Sequence, residues 1–337
     1  MKYLLAYILP LCCFIGLTVG GWMTFLTPLV AFGLIPMLEL VLQGRNHPPE
    51  PMEGALAYLY DVLVYLHVPV MYFLLYVLLQ GAAIGEYATY EIVGSTVSVG
   101  IILGSFGMNL GHELGHRSGW FNQLMANLFW LPNLYMHFGL EHNLWHHKYV
   151  ATKDDPASAP EGMSLYKFWV TSVVGNVKTA WKVENMRLAR TNNGLRFNGM
   201  KLIIAIEIFY LGLIGFFFGI FAVGIALLAA IVGFLLLESV NYIEHYGLRR
   251  HRMANGRYEP LGPQHAWNSN HDIGRILLYE LTRHSDHHMH AMKKYQTLES
   301  LDGSPQLPYG YPASILLAFF PWLWKSKMGA VLDEWRG

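Results

Sequence analysis

The sequence predicts an all-α integral membrane protein: six transmembrane helices with a cytoplasmic helical cap that holds a histidine-rich metal site. Three observations carry that prediction. The 337 residues are 53% apolar and only 14% charged, well under the quarter that a soluble domain usually carries. The apolar residues gather into runs of roughly the 20 residues that a bilayer-crossing helix needs. Sixteen residues are histidine, most of them clustered near the ends of those runs. Lys+Arg (23) and Asp+Glu (23) cancel, so the chain lacks the basic excess of a nucleic-acid binder, and no nucleic-acid partner is expected. Cys12 and Cys13 adjoin one another inside an apolar run, which leaves no disulfide framework and no CxxC metal knuckle.

Spans are predicted near 4–20, 22–42, 61–82, 91–111, 201–219 and 222–245. The last two form a hairpin turning near Phe218 and Gly219, in a stretch whose only charges are Lys201, Glu207, Glu238 and Glu244. The first run is followed at once by a second and has no small-x-small cleavage site, so it reads as a retained span and not as a signal peptide. Basic residues then fix the orientation. Lys2 precedes span 1, Arg45 follows span 2, ten fall between Arg117 and Lys201, and eleven between Arg249 and Arg336. The loops after spans 1, 3 and 5 have none. Positive charge stays on the cytoplasmic side during insertion, so both termini and the polar segments 112–200 and 246–337 are expected there. These segments read as caps on one bundle, and 1–337 as a single membrane-bound domain, because neither cap has the apolar periodicity for a large core of its own. Within the first cap, Leu165, Phe168, Trp169, Val173, Val177 and Trp181 recur at helical spacing, a pattern suited to a helix in the membrane interface. The apolar run 314–324 is too short to span.

The histidines fall into His112-Glu-Leu-Gly-His116, His142-Asn-Leu-Trp-His146-His147, His284-Ser-Asp-His287-His288 and the singleton His245, which closes span 6. On a helix, residues three or four apart share a face, so each cluster can offer two imidazoles to one metal. Nine imidazoles exceed the three or four of a zinc site. Two metals are the natural count, and imidazole-rich ligation suits iron, copper or zinc. Isolated histidines are ordinarily solvated or hydrogen-bonded, and His47, His67, His137, His251 and His290 are so read. His265 and His271 lie near the clusters without a ligand pattern. His112–His116 is also an HExxH string, which on a helix can hold zinc with Glu113 as general base. An intramembrane metalloprotease of that kind needs one further ligand and leaves seven clustered histidines unused. A metal transporter would carry its ligands at mid-membrane depth, whereas these sit at one end of the spans.

On these strings the chain resembles the membrane-bound non-haem di-iron alkane 1-monooxygenases, relatives of xylene monooxygenase and, more distantly, of membrane fatty-acid desaturases. The second box is stretched, with three residues between His142 and His146. The narrower likeness is Asn241-Tyr-Ile-Glu-His-Tyr-Gly-Leu248, supported by Arg283-His-Ser-Asp-His-His288, Trp267-Asn-Ser-Asn-His271 and Ala151-Thr…Asp155-Pro-Ala157. The resemblance implies a six-helix bundle with two iron ions held by His112, His116, His142, His146, His147, His245, His284, His287 and His288. It also implies terminal hydroxylation of n-alkanes to 1-alkanols with O2, electrons from rubredoxin and a flavin-dependent rubredoxin reductase, and a place in the bacterial inner (cytoplasmic) membrane. Two adjacent cysteines cannot hold an iron–sulfur centre, which agrees with a separate donor. The nearest rival activities are alkylbenzene (xylene-type) methyl hydroxylation and fatty-acyl hydroxylation or desaturation.

Neutral imidazoles bring no negative charge, so acidic groups are expected around them to orient the rings. Glu113, Glu141, Glu244 and Asp286 each lie within two residues of an expected ligand, and Asp154 and Asp155 are further candidates. An alkane offers no polar handle, and one methylene is worth only about 0.8 kcal/mol of burial, so chain length is best limited by a steric stop. By resemblance, Ala31 in span 2 occupies the position of that stop. Its small side chain predicts that medium-to-long alkanes are admitted.

Overall fold

The fold was obtained as a computed structural model, which describes residues 2–42, 44, 54–190 and 197–336; Arg45, His47 and Arg196 lie outside the described residues. All regular elements among them are helices, and the only β-pairing is two isolated bridges, Arg252 with Tyr258 and Asn268 with Gln306.

Five helices are long and apolar enough to cross a membrane: α1 (Lys2–Val19), α2 (Gly21–Val41), α3 (Ala55–Ile84), α4 (Thr89–Gly115) and the long element Gly199–His245. Each covers an expected span. Between α4 and the long element come α5 (Trp120–Trp130), α6 (138–149) and α7 (Leu165–Arg190), which makes the long element α8. After it come α9 (Asp272–Leu277), α10 (His284–Met289), α11 (Tyr311–Ala318) and α12 (Pro321–Arg336). α8 is broken at Gly219, whose φ of 85° and ψ of 168° are not helical. Residues 215 and 223 would stand about 12 Å apart on a straight helix. Instead, a Cβ on Gly215 would be 3.4 Å from Val223, so the chain folds back where the hairpin was expected.

The chain divides into two compact units, Met1–Gly33 with Glu53–Leu140 and Ala180–Leu237, and Leu34–Met52 with Glu141–Thr179 and Glu238–Gly337. The first unit is the apolar one. Phe216 and Ile220, beside the Gly219 break, are more than four-fifths exposed, as suits side chains that face lipid. Its buried polar groups are answered locally: Tyr7 donates to Leu63 O (2.6 Å), Ser98 to Thr24 O (2.6 Å), and Met136 N–H to Glu207 (3.0 Å). α1 and α2 join through Gly20 and Gly21, at φ 71° and 59°, a left-handed pair that glycine adopts without steric penalty. α2 and α4 each contain a π turn, Val30–Leu34 and Leu103–Met108, and Ala31 lies buried within the first.

The second unit has its own aromatic core. Trp324 of α12 lies 5.6 Å and 5.4 Å, ring to ring, from Tyr242 and Tyr246 at the end of α8, and Phe168 of α7 lies 5.4 Å from Tyr242. Trp267 donates from its indole to Tyr246 O (2.9 Å). This core is assembled from both cap segments together, consistent with neither being able to build one alone. Glu39 of α2 accepts from Gly274 N–H (2.8 Å), which anchors α9. On α7 the fully buried side chains include Leu165, Phe168, Ser172 and Asn176. Trp169, Val173 and Val177 are only part-buried. The buried stripe is shifted from the apolar one because Ser172 and Asn176 both donate to the fully buried Glu238.

Candidate metal centre

In the first unit, α4 ends with His112 and His116 four residues apart on one face, their ring centroids 4.9 Å apart. The helix is seated by Trp130 of α5. A Cβ on Gly111 would overlap the indole nitrogen, and one on Gly115 would stand 2.7 Å from the ring. Arg117 donates to Glu113 Oε1 from Nε (3.1 Å) and Nη2 (2.7 Å), and from Nη1 to Asp61 of α3 (2.6 Å). A double bond to a guanidinium ties down the carboxylate that the HExxH protease reading needs as its base.

In the second unit the His142–His146 stretch of α6 is a π turn. A π turn closes i→i+5 hydrogen bonds, so it stacks His147 over His142, and their Nε2 atoms lie 3.0 Å apart. His287 of α10 joins them, the three offering nitrogens within 4.8 Å of one another. His146 turns instead toward His245, His284 and His288, whose nitrogens likewise lie within 4.8 Å of one another and of its own. The two sets adjoin: the rings of His147 and His288 are 4.7 Å apart. The second unit therefore brings together seven of the nine expected ligands. His112 and His116 sit on α4.

Several groups hold the second unit's ligands. Asp155 accepts from His146 Nδ1 (3.0 Å) and from Ser158, which puts the ring proton on Nδ1 and leaves Nε2 as a lone-pair donor. Burial raises the Asp155 carboxyl, but His146 and Ser158 outweigh it and keep the group below its usual range. Asn268 clamps the start of α10, donating to Ser285 Oγ (2.6 Å) and accepting from Ser285 N–H (3.0 Å). The preceding Trp267 N–H donates to Glu244 O (2.8 Å), so one dipeptide ties the His245 end of α8 to the His284 helix. Burial, followed by the neighbouring imidazoles, holds His288 well below the usual histidine range, in the neutral form that a metal ligand requires.

The remaining carboxylates have distinct partners. Glu244 Oε1 accepts from Tyr311 (2.8 Å), while Oε2 lies 3.2 Å from His284 Nε2. Glu141 is buried, accepts from Thr179 (3.4 Å), and is pushed well up by burial and then by Asp155 and Glu238. Asp286 was expected to orient a ligand; it accepts from His290 Nδ1, Lys293 and Glu299 N–H, each at 2.7 Å, because the loop after α10 folds back over it. Asp154 accepts from Tyr258 (3.2 Å). The histidines outside the clusters have ordinary surroundings. His67 is stacked between Tyr7 and Phe106, His265 meets Glu259 (3.2 Å), and His271 meets Ser269 (2.9 Å). Asn268 and Tyr311 escaped sequence reasoning. The Trp267–His271 string marked the first without a role, and nothing local marks the second.

The donor set suits metal ions. His146 Nε2 is buried, and no hydrogen bond reaches it from the described residues. His284 Nε2 lies 2.9 Å from His288 Nε2 and 3.3 Å from His245 Nε2. Two nitrogens bound to one ion at about 2.1 Å and near right angles stand about 3 Å apart, so these contacts match the edges of a coordination polyhedron. Lone pairs gathered so closely call for a cation between them.

The sequence profile of the fatty acid desaturase family matches residues 88–317, a stretch that includes all nine histidines. Alkane 1-monooxygenase 1 of Alcanivorax borkumensis is 37% identical over 323 residues, covering 94% of this chain and 80% of the relative. Alkane 1-monooxygenase of Pseudomonas putida is 38% identical with the same coverage. The xylene/toluene monooxygenase hydroxylase component of Pseudomonas putida is 28% identical over 339 residues, covering 96% of this chain and 86% of the relative. Likeness of that extent, over the segments that carry every clustered histidine, decides between the branches: the chain belongs to the alkane 1-monooxygenase family.

Proposed function

We propose that this chain hydroxylates the terminal carbon of medium-to-long n-alkanes, RH + O2 + 2 e− + 2 H+ → ROH + H2O. The observation that carries the reading is the pair of adjoining nitrogen sets in the second unit, in a chain 37–38% identical to alkane 1-monooxygenases. Two irons are held by His142, His147 and His287 and by His146, His245, His284 and His288, with His112 and His116 completing the nine. Bound iron supplies the oxygen chemistry, and the chain supplies the rest. Asp155 keeps the His146 proton on Nδ1, Asn268 fixes the start of α10, and burial of the rings excludes bulk water. α1–α4 and the two arms of α8 make six spans, with both termini and the site on the cytoplasmic face of the inner membrane. Reduced rubredoxin, recharged by its flavin-dependent reductase, delivers the electrons.

The test is product analysis under labelled dioxygen. Membranes with rubredoxin, reductase and NADH receive n-alkanes, p-xylene and a fatty-acyl substrate. Labelled 1-alkanol, absent from a His284→Ala control, is the expected result. A methyl-arene hydroxylase is the second reading, favoured by the match to the xylene/toluene component; labelled benzylic alcohol alone would establish it, and an unlabelled alkene would make the chain a desaturase. In the same assay Ala31→Trp is expected to shorten the longest oxidised alkane. An unchanged length range removes Ala31 from the channel.

A further inference from the structure

We propose that Glu244 is a carboxylate ligand of the metal held by His146, His245, His284 and His288, an anionic donor absent from the nine-histidine set. The proposal rests on the two-metal reading above. Glu244 sits in the last turn of α8 beside His245, and both side chains are buried. Its Oε2 lies 3.2 Å from His284 Nε2, the same nitrogen that meets His288 Nε2 at 2.9 Å and His245 Nε2 at 3.3 Å. This is the inner nitrogen of a ligand. Asp155, by contrast, meets the outer nitrogen, Nδ1, of His146. An imidazole nitrogen carries at most one proton and can donate it along one direction, so His284 Nε2 cannot bond all three neighbours at once. A shared cation resolves the three contacts together.

Charge points the same way. Two divalent ions bring four positive charges into buried surroundings, and neutral imidazoles offset none of them. A carboxylate among the donors does, and buried charge is tolerated where it is paired or coordinates a metal. Tyr311 supplies the aim: by donating to Oε1 (2.8 Å), it leaves Oε2 as the atom turned to the histidines. The four nitrogens fall within 4.8 Å of one another without Glu244, so the carboxylate binds at their margin, beside His284.

Full-length protein in detergent, loaded anaerobically with isotopically enriched ferrous iron, tests this by Mössbauer spectroscopy and iron titration. The expected result is two quadrupole doublets in the wild type, with one altered or lost in Glu244→Gln and the other unchanged. Iron affinity at the altered half should fall by at least about 10-fold. Glu244→Asp should keep two irons per chain, and Tyr311→Phe should keep both doublets. Two irons and unchanged doublets in Glu244→Gln overturn the proposal. If that variant binds no iron, circular dichroism of the iron-free chain decides. A native-like spectrum with binding restored in Glu244→Asp supports ligation, and any other outcome overturns it. Wild-type protein that binds no iron overturns the two-metal reading itself, a failure distinct from that of Glu244.

Discussion

α4 presents His112 and His116 from an ordinary α-turn, where a spacing of four equals the helical period and both rings share one face. The box of α6 runs through a π turn and sends its rings in two directions. His142 meets His147 at 3.0 Å, and His146 faces His245 and His288, ring centroids 5.1 and 5.0 Å away. The residue that stretches this box is what divides it between two nitrogen sets. Helical phase, more than the written spacing, decides which metal a histidine serves.

Deleting Leu144 should break this contrast most severely. Its side chain is half exposed, so its removal leaves no large cavity, but every later residue rotates by about 100° relative to His142. Bound iron, measured by plasma mass spectrometry, should fall below about a tenth of the wild-type amount; full occupancy would show that the π turn is dispensable. Asp155→Asn sharpens the contrast, since it leaves the turn intact and removes the acceptor on His146. Loss of such an outer partner weakens metal binding by about 10–100-fold, and the His146 half should be the one that empties. A histidine outside both boxes gives the smallest effect. Burial depresses His137 to about 4, against about 6.5 for an unfolded histidine. The unfolded chain therefore takes up the proton first, and stability falls as pH drops from about 6.5 toward 4, by up to about 3 kcal/mol. Melting curves of iron-free protein at pH 7.5 and 5 should show a loss that is smaller in His137→Asn.

The spans, the Gly219 turn and the clusters were legible because apolar runs and helical spacing are local signals. The partners were not. Asp286 lies between two expected ligands, yet its oxygens go to His290, Lys293 and Glu299, because the loop after α10 folds over it. Glu244 is aimed by Tyr311, 67 residues away in sequence, and the buried stripe of α7 is chosen by Glu238, 66 residues from Ser172. Contacts made across such separations leave no periodicity to read.

The four-nitrogen set has a further consequence, one of timing. His146 and His288 are separated by about 140 residues of chain, which a ribosome adds at about 5–20 per second. His146 must therefore wait roughly 10–30 s for His284 and His288, and a nascent chain stalled before α10 holds only half of the set. Metal capture is thus a late event in biogenesis, reserved for chains in which α8 and α10 have already met.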